Sequence, residues 1–299
     1  MMGHQGMSEA SRIRLAVVGA GSMGAQIAQQ AALAGLSVAL HDISVEQLKR
    51  ASRSNRHLLE RRVAKGRLEN AQMEAALARV TTTTDLAQAV QAADVVLETV
   101  VETLAPKREV FGRLAAIARP DAILASNSST MGISQLISEA DGPERCCNLH
   151  FFYPPLVMDL VEVVKGPQTS NTTVVRAMQF VRAIGRTPVL VRKEIGGFVV
   201  NRIMHMATQE AYRLLDAGVA SVEDIDTAVE KGLNWPLGPF RLGDLTGLDV
   251  TYNARKHMYE TSGDPRYEPS ELLAAKVAAG DLGRKTGRGW YCYASEKKR

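Results

Sequence analysis

Four polar residues carry side chains suited to acid–base chemistry. His150 opens the run His150-Phe151-Phe152-Tyr153-Pro154, and Glu162 follows 12 positions later. Ser129 closes Asn127-Ser128-Ser129, directly after an apolar strand-like segment, and Asn201 lies near the start of a long helical run. An imidazole titrates near neutrality and suits proton transfer, and a carboxylate on its second nitrogen would fix its tautomer. Hydroxyl and amide groups can hold an oxygen on which charge develops. Spacing alone does not join the four. A histidine beside two phenylalanines is more often structural, and turns and helix caps use Ser and Asn freely.

A second constellation is more specific. Gly19, Gly21 and Gly24 form G-x-G-x-x-G. The triplet follows an apolar strand, opens a helix, and is followed by Asp42 at the end of the next strand, 18 positions after Gly24. That context marks a dinucleotide site rather than a chance glycine cluster. The first glycine permits the tight turn, the second lets backbone approach a pyrophosphate, and the third allows close helix–strand packing. The free N–H groups of the helix start then face the phosphates. Asp42 suits the ribose hydroxyls and repels a 2′-phosphate, and Ile43-Ser44 supply no arginine. NAD is therefore expected over NADP.

The elements that must position these groups alternate. Short apolar strands are expected over residues 13–18, 37–40, 94–98, 122–125, 147–152, 159–164 and 187–191. Helices are expected over 25–34, over a pair within 45–77 broken near Gly66, and over 85–93, 106–118 and 174–184. Such alternation implies an α/β fold with parallel pairing at its core. After Val191 helices dominate, over 198–217, 222–232, 243–260 and 269–279, with a last strand signal at 289–291. We expect a Rossmann-like domain over 12–191 and a mainly α-helical domain over 192–299.

Composition narrows the class. At about 150 residues per domain, 299 residues suggest two domains. With 45% hydrophobic and 23% charged residues, the chain is globular rather than disordered. Cys146 and Cys147 are adjacent and Cys292 stands alone, which gives neither a disulfide framework nor metal-ligand spacing. No metal is expected, and a reducing, cytoplasmic setting fits. A net charge of +4 is no nucleic-acid signature. No apolar run reaches the roughly 18 residues of a membrane helix, so no membrane partner is expected. Residues 1–11 read as a polar leader, with Met7 an alternative start, and 297–299 as a solvated tail.

The chain resembles the short-chain L-3-hydroxyacyl-CoA dehydrogenases, which include bacterial 3-hydroxybutyryl-CoA dehydrogenases. The resembling blocks, in family order, are VVGAGSMGAQIAQQAALAG, LASNSST, HFFYPPLVMDLVEVV, GGFVVNRI, SVEDIDTAV, PLGPFRLGDLTGLD and LGRKTGRGWY, from Arg12 to Tyr293. The resemblance implies reversible NAD-dependent oxidation of an (S)-3-hydroxyacyl-CoA to the 3-ketoacyl-CoA, in fatty-acid or butanoate-type metabolism, by a homodimer. It implies His150 as base, Glu162 as its acidic partner, and Ser129 and Asn201 as substrate-positioning groups. It places Asp42 on the ribose, Glu102 and Lys107 along the NAD site, and Lys285 near the cofactor. The basic stretch with Arg53, Arg56, Arg61, Arg62 and Lys65 corresponds to the family's CoA contact, with Arg56 and Arg61 the candidates. A solvated helix face, with Glu60 and Glu69 interleaved, is the alternative there.

Two positions depart from the family pattern. Tyr153 stands where the family usually has Asn, and Asp159 where Lys is common. Tyr153 is therefore a candidate substrate-pocket residue. The departures keep a second reading open, a dehydrogenase of the same fold acting on a carrier-protein-bound or free 3-hydroxy acid. A non-catalytic, crystallin-like NAD-binding protein is a third.

Overall fold

The fold is that of a computed structural model, described over residues 13–293. The expected leader and tail lie outside the described residues. The chain divides into two compact units, Met1–Phe198 and Val199–Arg299.

The first unit is built on one eight-stranded sheet of order β3-β2-β1-β4-β5-β6-β7-β8. The strands are β1 (Arg14–Val18), β2 (Ser37–His41), β3 (Val80–Thr83), β4 (Val95–Glu98), β5 (Ile123–Ser126), β6 (Cys146–Phe151), β7 (Leu160–Val164) and β8 (Thr187–Val191). All neighbours pair in parallel except β6 and β7. The order 3-2-1-4-5-6 is that of dinucleotide-binding α/β folds.

The central strands read as nearly continuous apolar runs because both faces are covered. Leu15 and Val17 of β1 pack into one core cluster, with Ile27, Ala28 and Ala31 of helix α1 (Ser22–Leu33). Ala16 and Val18 point the other way, into a second cluster with Phe111 and Leu114 of a later helix, α5. Between α1 and that helix lie α2 (Val45–Ala64), α3 (Asn70–Ala78) and α4 (Leu86–Val90); α5 itself spans Leu104–Ile117. The short α6 (Ile133–Leu136) and the longer α7 (Asn171–Ala183) complete the layers.

Strand β3 and helix α6 have no counterpart in the sequence expectation. β3 is Val-Thr-Thr-Thr at the sheet edge, half-buried at best, so no apolar run announces it. The unit extends past β8 because Phe198 packs with Val164 and Val191.

Among the described residues of the second unit, the elements are α8 (Val200–Asp216), α9 (Val222–Gly232), α10 (Pro239–Thr246), α11 (Leu248–Ser262) and α12 (Glu271–Ala278), with short 3-10 turns. The single helix expected over 243–260 is in fact two. Gly247 adopts φ 102, a conformation open to glycine that a helix cannot continue through. The strand signal at 289–291 yields only isolated bridges, Gly283 with Arg288 and Arg288 with Cys292. Tyr212, Phe240 and Trp290 pack against one another at tilted or edge-on angles, with ring centroids 4.9–5.6 Å apart. Two buried aspartates tie the C-terminal segment down. Asp226 accepts from the backbone N–H of Phe240 and Arg241, capping α10, and from the Tyr291 hydroxyl. Asp244 accepts from the N–H groups of Trp290 and Tyr291 and from the Tyr293 hydroxyl. No helix of the described residues is long and apolar enough to cross a membrane.

Candidate active site

The glycine loop leaves β1 and enters α1. Gly19 has φ 106, and its N–H donates to the His41 carbonyl at 2.8 Å. A Cβ on Gly24 would sit 2.0 Å from the Gly19 carbonyl oxygen, so the third glycine is demanded by packing. A Cβ on Gly21 would meet nothing within 4 Å. That position faces open space, at the start of a helix whose N-cap has no side-chain hydrogen bond and whose first turn has no acid. Unsatisfied N–H groups beside an open backbone approach fit a pyrophosphate.

Asp42 follows β2. Its Oδ2 accepts from the Ala20 N–H at 2.8 Å and its Oδ1 from the Ser44 N–H at 2.9 Å, which holds the carboxylate against the loop. Each oxygen keeps a lone pair for a ribose hydroxyl. Gly19, Gly21 and Asp42 line one cleft of about 600 Å³, together with Ile43, Val101 and Arg113. The residues present fit NAD.

At the end of β4 lies a charged cluster. Glu98 is fully buried and accepts from Lys107 Nζ at 2.8 Å, the Val100 N–H at 2.6 Å and Ser126 Oγ at 2.6 Å. Lys107 Nζ also reaches Glu102 Oε2 at 3.1 Å. Glu102 Oε1 accepts from Ser128 Oγ, Thr130 Oγ1 and the Ser129 N–H. Burial pushes the Glu102 carboxyl up, but the Lys107 ammonium and these hydrogen bonds outweigh it and hold it below the usual carboxylate range. Glu102, Lys107 and the Ser129 backbone therefore form one network. Sequence reading missed Glu98 at its centre. The signal was present: an acid closing an otherwise apolar strand, nine positions before a lysine.

His150 and Glu162 come together through the sheet. β6 and β7 are antiparallel, with His150 opposite Glu162 in register, and His150 Nδ1 lies 2.8 Å from Glu162 Oε2. Both side chains are buried, His150 at 5% exposure and Glu162 at 0%. The rings of Phe152 and Phe198 flank the imidazole at 4.5 and 5.6 Å. Asn127 Oδ1 accepts from the Phe151 N–H at 3.0 Å, tying the loop that carries Ser129 to the strand that carries His150. A buried imidazole with a carboxylate on Nδ1 leaves Nε2 as its proton acceptor.

Arg61 and Tyr153 line one groove of about 450 Å³, with Arg62, Lys65 and Arg67. Arg56 lies outside it and pairs with Glu74 through two bonds of 2.7 and 3.1 Å. Asp159 accepts from the Thr187 hydroxyl at 2.6 Å, joining the starts of β7 and β8. In the second unit, Asn201 stands in the first turn of α8, and Lys285 Nζ pairs with Asp249 at 2.5 Å.

The 3-hydroxyacyl-CoA dehydrogenase NAD binding domain matches residues 14–195, and the 3-hydroxyacyl-CoA dehydrogenase C-terminal domain matches 197–293. The chain is 40% identical over 290 residues to a 3-hydroxybutyryl-CoA dehydrogenase of Mycobacterium tuberculosis, covering 96% of this chain and 100% of that one. It is 38% identical over 284 residues to a 3-hydroxybutyryl-CoA dehydrogenase of Bradyrhizobium diazoefficiens, covering 95% and 96%. The solved structure of (S)-3-hydroxybutyryl-CoA dehydrogenase from Ralstonia eutropha superposes with a TM-score of 0.88 at 38% identity, covering 94% of this chain and 99% of that one. The chain belongs to the 3-hydroxyacyl-CoA dehydrogenase family.

Proposed function

We propose that this protein interconverts (S)-3-hydroxyacyl-CoA and 3-ketoacyl-CoA with NAD, and that His150 moves the proton. The observation that carries this is the buried His150–Glu162 pair, 2.8 Å apart, in a chain whose sheet also builds a dinucleotide loop. Oxidising a secondary alcohol removes the hydroxyl proton as hydride leaves the same carbon. His150 Nε2 takes that proton, and Glu162 on Nδ1 fixes the tautomer and stabilises the imidazolium. In reduction the imidazolium returns the proton to the ketone oxygen. NAD, when bound, accepts or supplies the hydride.

Ser129 and Asn201 hold the reacting oxygen or the thioester carbonyl by hydrogen bonds. Asp42 takes the adenosine ribose, Gly19 and Gly21 admit the pyrophosphate, Gly24 lets the helix pack close enough to present its N–H groups to it, and Glu102, Lys107 and Lys285 serve the cofactor. Arg61 meets CoA phosphate, and Tyr153 forms part of the acyl-thioester entrance. Arg56, held by Glu74, is the weaker of the two arginine candidates.

The protein acts as a homodimer through its helical unit, a reading supported by exposed Ile203, Leu245 and Val250 there. Three free cysteines support a reducing, cytoplasmic setting. The test follows NADH absorbance with acetoacetyl-CoA, repeated with NADPH. Turnover with NADH that is lost in His150→Ala establishes the reading. Tight NADH binding without turnover moves the substrate to a carrier-bound or free 3-hydroxy acid.

A further inference from the structure

Helix α1 carries a polar side chain that the fold leaves unsatisfied. Gln26 is 7% exposed, and its Oε1 has no hydrogen-bond partner. A buried unpaired amide destabilises the protein unless something binds it. Gln30, one turn on, shows the usual solution: it donates to the Ile184 carbonyl at 2.9 Å and accepts from Arg186 at 2.6 Å.

Gln26 lines the 450 Å³ groove of Arg61, Arg62 and Tyr153. Arg62 also has a buried nitrogen, Nη1, without a partner. Leu156 and Val157 give the groove an apolar wall. An occupant must therefore bring anionic groups, a methylene-rich stretch, and a polar group that pairs with a carboxamide. A 4′-phosphopantetheine arm has all three. It carries two secondary amides on short alkyl spacers and ends in phosphate, whether in CoA or on a carrier protein. A carboxamide can both donate and accept, so it matches either end of a secondary amide.

We propose that Gln26 is a specificity-determining residue that hydrogen-bonds an amide of the pantetheine arm lying in this groove. The inference rests on the acyl-thioester reading above. Gln26→Leu keeps the bulk and removes the amide. Because it also removes an unsatisfied buried group, its Tm stays equal to or above that of the wild type. Its KM for acetoacetyl-CoA rises about three- to tenfold, the loss of one hydrogen bond, while kcat and the KM for NADH hold. The same rise appears with acetoacetyl-pantetheine, which lacks both the phosphate and the nucleotide. Arg61→Ala, by contrast, raises KM for acetoacetyl-CoA alone.

Gln26→Met, also close in shape, repeats the test should the leucine variant fold poorly. An unchanged KM for both thioesters in a folded variant overturns the inference, and so does a lowered Tm without a KM change. Wild-type turnover of the pantetheine thioester with no gain from the CoA nucleotide assigns the arm to a carrier protein. A wild type inactive with both thioesters overturns the acyl-thioester reading itself, before any variant is made.

Discussion

His150 and Glu162 face each other across the one antiparallel strand pair among the described strands, with Nδ1 2.8 Å from Oε2. Cross-strand partners in such a pair project from the same face, a few ångströms apart. The reversal of β7 against β6 thus brings together two residues that stand 12 positions apart in sequence.

That pairing predicts the first outcome. His150→Ala lowers kcat for acetoacetyl-CoA reduction by about 10²- to 10⁴-fold, the usual range for a lost acid–base group. NADH affinity, measured by fluorescence titration, stays within about twofold, because the site reads the dinucleotide elsewhere. Glu162→Gln lowers kcat without loss of His150, since the amide no longer stabilises the imidazolium.

The glycines of the loop separate binding from folding. Gly21→Ala places a methyl in open space, so its thermal midpoint holds while its Kd for NADH rises. Gly24→Ala drives a methyl to 2.0 Å from the Gly19 carbonyl oxygen, so the protein itself is destabilised, by about 1–3 kcal/mol. A calorimetric midpoint beside a titration with NADH distinguishes the two. Equal behaviour of the two variants would contradict the assignment.

Removing Glu98 strands part of a buried network. In Glu98→Ala the Lys107 ammonium keeps Glu102 and the Val100 carbonyl, and the Val100 N–H and Ser126 Oγ lose their acceptor. We expect a loss of about 3 kcal/mol in urea unfolding, the scale for breaking a buried ion pair. Glu98→Gln, which can still accept hydrogen bonds, loses less.

We expect the second unit to lose stability in mild acid. Burial, with the Arg255 charge adding to it, pushes the His205 imidazole down to about 4. In the unfolded chain a histidine takes up its proton near pH 6.5. Between those values the unfolded state binds a proton that the native state does not. Stability is therefore full above about pH 6.5 and falls as pH drops toward 4. At pH 5 the loss is about 2 kcal/mol relative to pH 7. His205→Gln flattens this dependence, and urea unfolding at the two pH values measures it.

Local sequence pattern alone specifies the dinucleotide unit. Gly19, Gly21, Gly24 and Asp42 are close along the chain, and one strand–helix–strand unit joins them, so local pattern was enough. The alternation of buried strands with helices was legible for the same reason, since both faces of the central strands are covered. β3 escaped because an edge strand of threonines buries little. The break at Gly247 escaped because apolar spacing continues across it, while only the backbone angle shows the turn. The tertiary structure alone decided which polar groups meet. His150 reaches Glu162 through strand register, and Glu98 at the end of β4 gathers Ser126 from the end of β5 and Lys107 from helix α5. It also separated Arg61, which lines a groove, from Arg56, which Glu74 holds. Residue type advertises what a side chain can do. Pairing across a sheet depends on contacts between distant segments, which no local spacing encodes.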